Sequence, residues 1–586
     1  MDLDAGERGL FERFMSELAA LDDFRSEYAQ RYEFQGLERD DQDVQRLIEA
    51  MAFYRARTRL RAEQGLLEYK LHTLEQLFPY LLSPMPAMAL LYPVLESNMT
   101  DSRGLPEHAE VIVSSALPET QTQARSFRTL RAAPIYPLRV VSGSVRLGRK
   151  APGSPSRPAR SGALDAEPAP WALSFDVAPS PSGSPSKRFF EDPSRSLREL
   201  CLYVNPGGDL LSAVRLYDAL QQSCERVTVT FFAGTDAYPP SSSRPRFGAA
   251  SALGSSYENP IESARRAIHF PLAQLCVGLP LSSAPSQWTR LSIEVELGAR
   301  WPSSLSVVEQ SFLLNAVPVE NLLRRSAEPI ISDGTALDNR VQAPENTQHL
   351  RARDVLGVYA SDPNAPGVRQ PLFPRSLLDE GYAITARGTG TEREVWIETD
   401  GVLGAVGAPG ALYVDAEWYD PDPRLPLARE AVVRAEAHDL GKLEWRLADP
   451  LERPSDSPIL GDSALLDRLL DLQGRAPRSA RELKLLLDVL GVGQSDVFGR
   501  IPRHIEAVTA GVVPDSLSTT GSLRNYDVVL AKLPSVLLPA ARLLFSLVPS
   551  VLATWCGDAA VRVSLTFAEA ARDMPVTFDW RSVDAE

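Results

Sequence analysis

The sequence predicts a multidomain α+β chain with a helical N-terminal region, a β-rich middle and an α+β C-terminal unit. Three observations carry this prediction. Apolar residues recur every three or four positions from Phe11 to Phe78, the period of an amphipathic helix. Short alternating runs of β-forming residues dominate 88–455, and helical and strand patterns mix again from 463 to 567. With 586 residues, 44% of them hydrophobic, the chain holds enough apolar material for several cores.

The first stripe runs through Phe11, Phe14, Leu18, Leu21, Phe24, Tyr28 and Tyr32, with charged residues on the opposite face. A second comprises Val44, Leu47, Ile48, Met51 and Tyr54; acids precede it and arginines follow it, matching the helix dipole. A third aligns Leu67, Leu71, Leu74 and Phe78. Residues 1–86 are therefore expected to form a helical unit that buries Leu18, Val44, Leu47, Ile48 and Leu74. "FPYLLSPMPAMALLYP" (78–93) then turns the chain with Pro79, Pro84, Pro86 and Pro93, since proline cannot continue a helix and forces its predecessor into extended geometry. The apolar residues between these prolines need a cover, either the chain's own first helices or a partner.

"EVIVSS" and "IYPLRVV" read as strands. Ser142–Lys187 is mostly too poor in apolar residues to offset the cost of ordering, apart from the alternating "WALSFDV", and reads as a strand between flexible linkers. "LCLYV" (200–204), "DLLSAVRLYDALQQSC" (209–224) and "RVTVTFF" (226–232) read strand, helix, strand, with Asp209 as N-cap. Further strands are expected at "LSIEVEL" (291), "EVWIETD" (394) and "ALYVDAEWY" (411). A helical segment over 463–490 leads into strands and a helix over 501–567. The expected domains are 1–87, helical; 88–190, β-rich with linkers at 142–187; 191–345, α/β; 346–455, β-rich; and 456–586, α+β.

A formal net charge of −15 argues against nucleic acid or an anionic membrane surface as the main partner. Cys201, Cys224, Cys276 and Cys556 form no CxxC pair, which fits a reducing compartment, and the acidic N-terminus does not resemble a secretory signal. A cytoplasmic location is expected. "PSVLLPAARLLFSLVPSVLATWC" (534–556) is long enough to span a membrane. Arg542 at its centre would cost about 2.5–3.5 kcal/mol there, so a buried helix is expected instead.

Chemistry-bearing patterns are sparse. The glycine pair of "YVNPGGDLLSA" lacks both P-loop and GxGxxG spacing and reads as a tight turn. The histidines, at 72, 108, 269, 349, 438 and 504, form no metal-binding pair, and there is no GxSxG elbow. "GVLGAVGAPG" (401–410) reads as a loop. "VDAEWYDPDPRLP" (414–426) gathers Asp415, Glu417, Asp420 and Asp422 beside Trp418 and Tyr419, which a calcium loop or a glycoside hydrolase would use. The simpler expectation is a strand with alternating exposed acids running into a proline turn. No catalytic residue, cofactor or metal is expected, and a β-rich carbohydrate-active hydrolase built on Glu417 is the competing class.

The stretch from Asp40 to Val94 resembles the N-terminal signature of the TssF family, the baseplate wedge subunits of type VI secretion. The resemblance rests on Asp43, Val44, Arg46, Leu47, Glu49, Ala52, Phe53, Ala56, Arg57, Leu77, Pro79, Tyr80, Leu81, Pro84, Pro86 and Met88. "SFRTLRAAPIYPLRV", "ELCLYVNPGGDLLSAVRLYDAL" and "PVENLLRRSAEPIISDG" are similar to later family segments, the last at Asn321, Leu322, Ala327, Glu328, Pro329, Ile330 and Asp333. Around "EWYDPDPRLP" only Leu425 and Pro426 match the family turn, and the C-terminal "TWCGDAAVRVSLTF" departs from the family ending.

The resemblance implies a structural part of a contractile injection machine, two copies joining one TssG-like subunit in each wedge. It implies contacts to a TssK-like adaptor, a TssE-like sheath initiator and the central spike, in a cytoplasmic baseplate docked at the inner face of the inner membrane, without membrane insertion. A phage tail or an extracellular contractile particle is the alternative machine. Phe78, Pro79, Tyr80, Pro84, Pro86, Asn321, Glu328 and Pro329 are the candidate partner-binding residues.

Overall fold

The computed structural model describes residues 5–31, 42–94, 102–115, 124–147, 171–179, 199–248, 259–281, 285, 288–297, 301–302, 304–332, 338–361, 368–375, 381–388, 390–399, 410–423, 431–435, 443–472, 474–515, 521–558, 560–568 and 575–581. Two compact units emerge, Met1–Pro79 with Asp462–Asp471, and Tyr80–Gly461 with Leu472–Glu586.

The smaller unit is a helical hairpin. Helices Ala5–Arg31 and Gln42–Leu77 run antiparallel, because Arg13 meets Glu63 at 2.7 Å while Glu17 meets Arg55 and Arg59 at 3.2 Å. The second and third periodic runs form one helix of 36 residues that Gly65 does not break. Ala52 and Ala56 are fully buried, so the hairpin closes on small side chains. That choice of face corrects the expected stripe. Leu74 is buried and Leu18, Val44 and Ile48 are half-buried, but Leu47 is 61% exposed. An alanine seam turns the line of larger residues Leu47, Met51 and Tyr54 outward. Lys70 pairs with Asp467 at 2.6 Å within this unit, and Tyr32 lies outside the described residues. The helix ends at Leu77; after the 3₁₀ turn Pro79–Leu81 the chain becomes strand at Met88, so 82–86 are not helical.

The larger unit centres on a closed six-stranded barrel. Its strands, in order around the wall, are Met88–Val94, Val317–Glu320, Arg125–Thr129, Glu110–Ser115, Ala431–Ala435 and Glu444–Glu452. Ala89, Leu91, Val111, Phe127, Val319 and Trp445 fill it. The barrel thus takes strands from three of the segments delimited in the sequence, 88–190, 191–345 and 346–455. A second core lies between the sheet built on Arg351–Ser361 and Gly410–Tyr419 and the sheet Asp338–Arg340, Glu394–Thr399, Tyr382–Arg387.

The strand–helix–strand reading of 200–232 holds. Glu199–Val204, Leu210–Ser223 and Cys224–Ala233 follow in order, and the Asp209 carboxylate accepts the Leu211 and Ser212 amides. Gly207 and Gly208, at φ of 55° and 90°, make the tight turn before this helix, a backbone region that costs glycine nothing. Ser142–Leu147 is not linker but the end of strand Leu138–Leu147, which pairs with Trp171–Pro179; residues 148–170, 180–198 and 401–409 lie outside the described residues.

In the C-terminal sheet, Ser522–Leu530 and Ala560–Phe567 pair in parallel, which requires a crossover. Helix Leu538–Cys556 supplies it. That segment is long and apolar enough to cross a membrane, yet Leu544, Phe545 and Leu552 are buried in the protein and Arg542 pairs with Asp218 at 3.0 Å.

Candidate functional site

Strand Gly410–Tyr419 alternates as its sequence requires, with Leu412, Val414, Ala416 and Trp418 facing the core between the two sheets. Its other face holds Asp415 and Glu417. The expected row of exposed acids is corrected here, because Glu417 is only 4% exposed and Asp420 is also buried. Three guanidinium groups cover Glu417: Arg128 at 2.8 Å, Arg324 at 2.9 Å and Arg353 at 3.1 Å. Burial alone would raise its pKa, but Arg128, Arg353 and Arg324 overcome that and hold it at about 2.

The pairing extends into a lattice. Arg128 also bonds Glu320 at 2.8 Å, Arg266 approaches Glu320 at 3.7 Å and Glu262 at 3.4 Å, and Arg353 reaches Glu262 at 2.8 Å. These side chains come from the barrel, the adjoining sheet and helix Pro260–His269, which the lattice ties together. Burial works against the charge of Arg353, but Asp354, Glu262 and Glu320 outweigh it and raise its pKa.

The lattice also explains the proline-punctuated segment. Prolines and irregular backbone leave the carbonyls of Tyr80, Leu81, Ser83, Pro84 and Pro86 without ladder partners, and a buried carbonyl needs a donor. Arg265 donates to Tyr80 O and, at 2.9 Å, to Ser83 O; Ser457 donates to Leu81 O at 2.6 Å; Arg353 donates to Pro84 O at 3.2 Å. His269 Nε2 lies 3.0 Å from Pro86 O, and Met85 exchanges backbone hydrogen bonds with Ser455. The turn is therefore held by side chains of the larger unit.

Among the candidate partner-binding residues, Pro84, Pro86 and Asn321 are buried by the chain itself. Asn321 donates to Ser126 O at 2.7 Å and accepts the Asp420 amide at 2.9 Å, an internal tie. Phe78 and Glu328 are half-buried, Tyr80 and Pro329 are exposed, and Pro79 opens the 3₁₀ turn. Of the acidic group, Asp420 faces Arg125 at 2.9 Å, Asp415 accepts from Ser326 at 2.5 Å and Asp422 is exposed. No group of three or more His, Cys, Asp or Glu suited to a metal occurs among the described residues.

A carboxylate ionised down to about pH 2, with its oxygens occupied by arginines, cannot deliver a proton to a leaving group. The geometry serves as a structural clamp. Sequence reasoning missed Arg128, Arg265, Arg266, Arg353, Glu262 and Glu320, which are scattered along the chain. The one available signal was Arg265, whose spacing places it on the apolar face with Ile261, Ala264 and Ile268.

Residues 8–383, more than half of the chain, match the family model described as "Type VI secretion system, TssF". Two solved structures share the fold. One, from a cryo-electron microscopy structure of the type VI secretion TssK–TssF–TssG baseplate subcomplex, has a TM-score of 0.68 at 18% identity over 93% of this chain and 99% of that chain. The other, from the baseplate complex of the type VI secretion system, has a TM-score of 0.53 at 18% identity over 95% and 96%. No curated protein matches in sequence.

Proposed function

This chain belongs to the TssF family of the type VI secretion system, and from that premise we propose that it is an architectural wedge component of the secretion baseplate, built to associate with a TssG-like subunit and a TssK-like adaptor. The observation that carries this is the hairpin's outer surface. Leu47, Met51 and Tyr54 are exposed at i, i+4 and i+7 along one helix, and Phe11, Met15, Phe24 and Tyr28 are exposed on the other. Large apolar side chains exposed along both helices, in a chain of net charge −15, are the mark of a surface completed by association. The likeness to chains solved with TssK and TssG supports those partners.

The finer reading extends this by family resemblance. Two copies join one TssG-like subunit per wedge, a TssE-like sheath initiator and the spike are further contacts, and the baseplate works on the cytoplasmic side, docked at the inner membrane. The role is non-catalytic, which the arginine-locked state of Glu417 supports. Co-expression tests the reading. The wild-type chain is expected to co-purify with its TssG-like partner, and Leu47→Asp to lose that complex while keeping the native circular dichroism spectrum. A wild-type chain that stays monomeric beside the partner, or an L47D chain that binds it normally, overturns the assignment.

A further inference from the structure

A cavity of about 200 Å³ lies within the larger unit, between Met85, the end of helix Pro260–His269, residues 452–455 and the turn 490–495. Its polar lining includes Arg265, His269, Glu452, Arg453, Gln494 and Ser495. Arg265 is 2% exposed; its Nη1 serves the Tyr80 and Ser83 carbonyls, but its Nε has no hydrogen-bond partner among the described residues. Burial and repulsion from Arg353 lower its pKa to about 10, with Glu262 and Asp354 offsetting only part. It is a buried cation in want of an anion.

The other groups do not meet that need. His269 is neutral, held at about 4 by burial, and both its nitrogens are engaged: Nε2 at 3.0 Å from Pro86 O and Nδ1 at 3.3 Å from Ser455 Oγ. Glu452, the only acid in the lining, is pushed up to about 7 by burial and by Asp496, so at neutral pH it gives up its charge readily. The volume is several times the roughly 30 Å³ share of a water molecule, which leaves room for a hydrated small ion.

We propose that this cavity binds a small tetrahedral oxyanion of the sulfate or phosphate class, held by Arg265 together with the Ser495 hydroxyl and the Glu452 carboxyl. Sulfate is the probe, because it does not titrate near neutrality. The full chain, alone or with its TssG-like partner, is titrated calorimetrically with sodium sulfate against sodium chloride at equal ionic strength. Saturable binding is expected, whereas general salting effects are not saturable. Arg265 stays charged and His269 neutral between pH 6 and 8, and the Glu452 carboxyl itself faces the Asp496 charge and the Arg453 backbone N–H, so affinity should fall about tenfold over that range as Glu452 loses its proton. Glu452→Gln should bind with no such slope. Arg265→Lys should bind at least about tenfold more weakly; if that variant does not fold, the Glu452→Gln comparison decides alone. Absence of saturable sulfate binding, an unchanged pH slope in E452Q, or anomalous density from selenate elsewhere and not in this cavity each overturns the site.

Discussion

Glu417 shows how one side chain decides between two classes of function. On an exposed strand it would be a candidate acid; beneath three arginines it is a structural anion. Removing its charge leaves Arg128 and Arg353 buried beside a neutral amide, and breaking such a pair typically costs about 3–5 kcal/mol. Glu417→Gln should therefore lower the unfolding free energy of the full chain, read from urea denaturation, by about 3–5 kcal/mol, and a loss below about 1 kcal/mol would mean the lattice is not such a clamp. The pH dependence has a definite sign. The folded pKa of Glu417, about 2, lies below its ordinary 4.5, so its contribution is complete above about 4.5 and disappears as pH falls towards 2. The sequence showed the acids and their aromatic neighbours, but not the arginines, which arrive from positions 128, 324 and 353 only after the barrel and the adjoining sheet have formed.

At the scale of elements, local chemistry was readable wherever it is self-contained. Asp209 caps its helix, "WALSFDV" is a strand and Leu538–Cys556 folds as a helix buried in the protein, with Arg542 paired, because each depends on spacing within a few residues. The N-terminal stripe was legible as a period, and its burial was misread at Leu47. Periodicity says that a face needs covering, not which chain covers it. The hairpin's seam is Ala52 and Ala56, which can be tested against its outer row. Ala56→Leu should overpack the seam and cost about 1–3 kcal/mol of helical stability, whereas Tyr54→Ser, on a side chain 68% exposed, should change the isolated chain by no more than about 0.5 kcal/mol. Equal effects in thermal circular dichroism would place the seam elsewhere. The same Tyr54 variant should weaken partner association, because the row it belongs to is spare surface in the single chain.

At the scale of the molecule, the barrel sets how the chain can be divided. Its wall pairs Met88–Val94 with Val317–Glu320 on one side and with Glu444–Glu452 on the other, strands more than 200 and 300 positions away. Local composition carries no sign of such closure, which is why the sequence reads as a row of domains. Loop-closure entropy must be met before these pairings return anything, so folding should be slow and should require the whole wall. A fragment ending at Glu345 retains every residue of the first three expected domains but lacks Ala431–Ala435 and Glu444–Glu452. It also lacks Arg353 and Glu417, so the carbonyl of Pro84 and the charges of Arg128 and Glu262 lose partners at the same time as the barrel loses two strands. The expected outcome is an insoluble or protease-sensitive fragment without near-ultraviolet circular dichroism, even though its strand and helix patterns are intact. A soluble fragment 1–345 with a cooperative thermal transition would show that the first three segments fold independently and that the barrel is closed late, by docking rather than by co-folding.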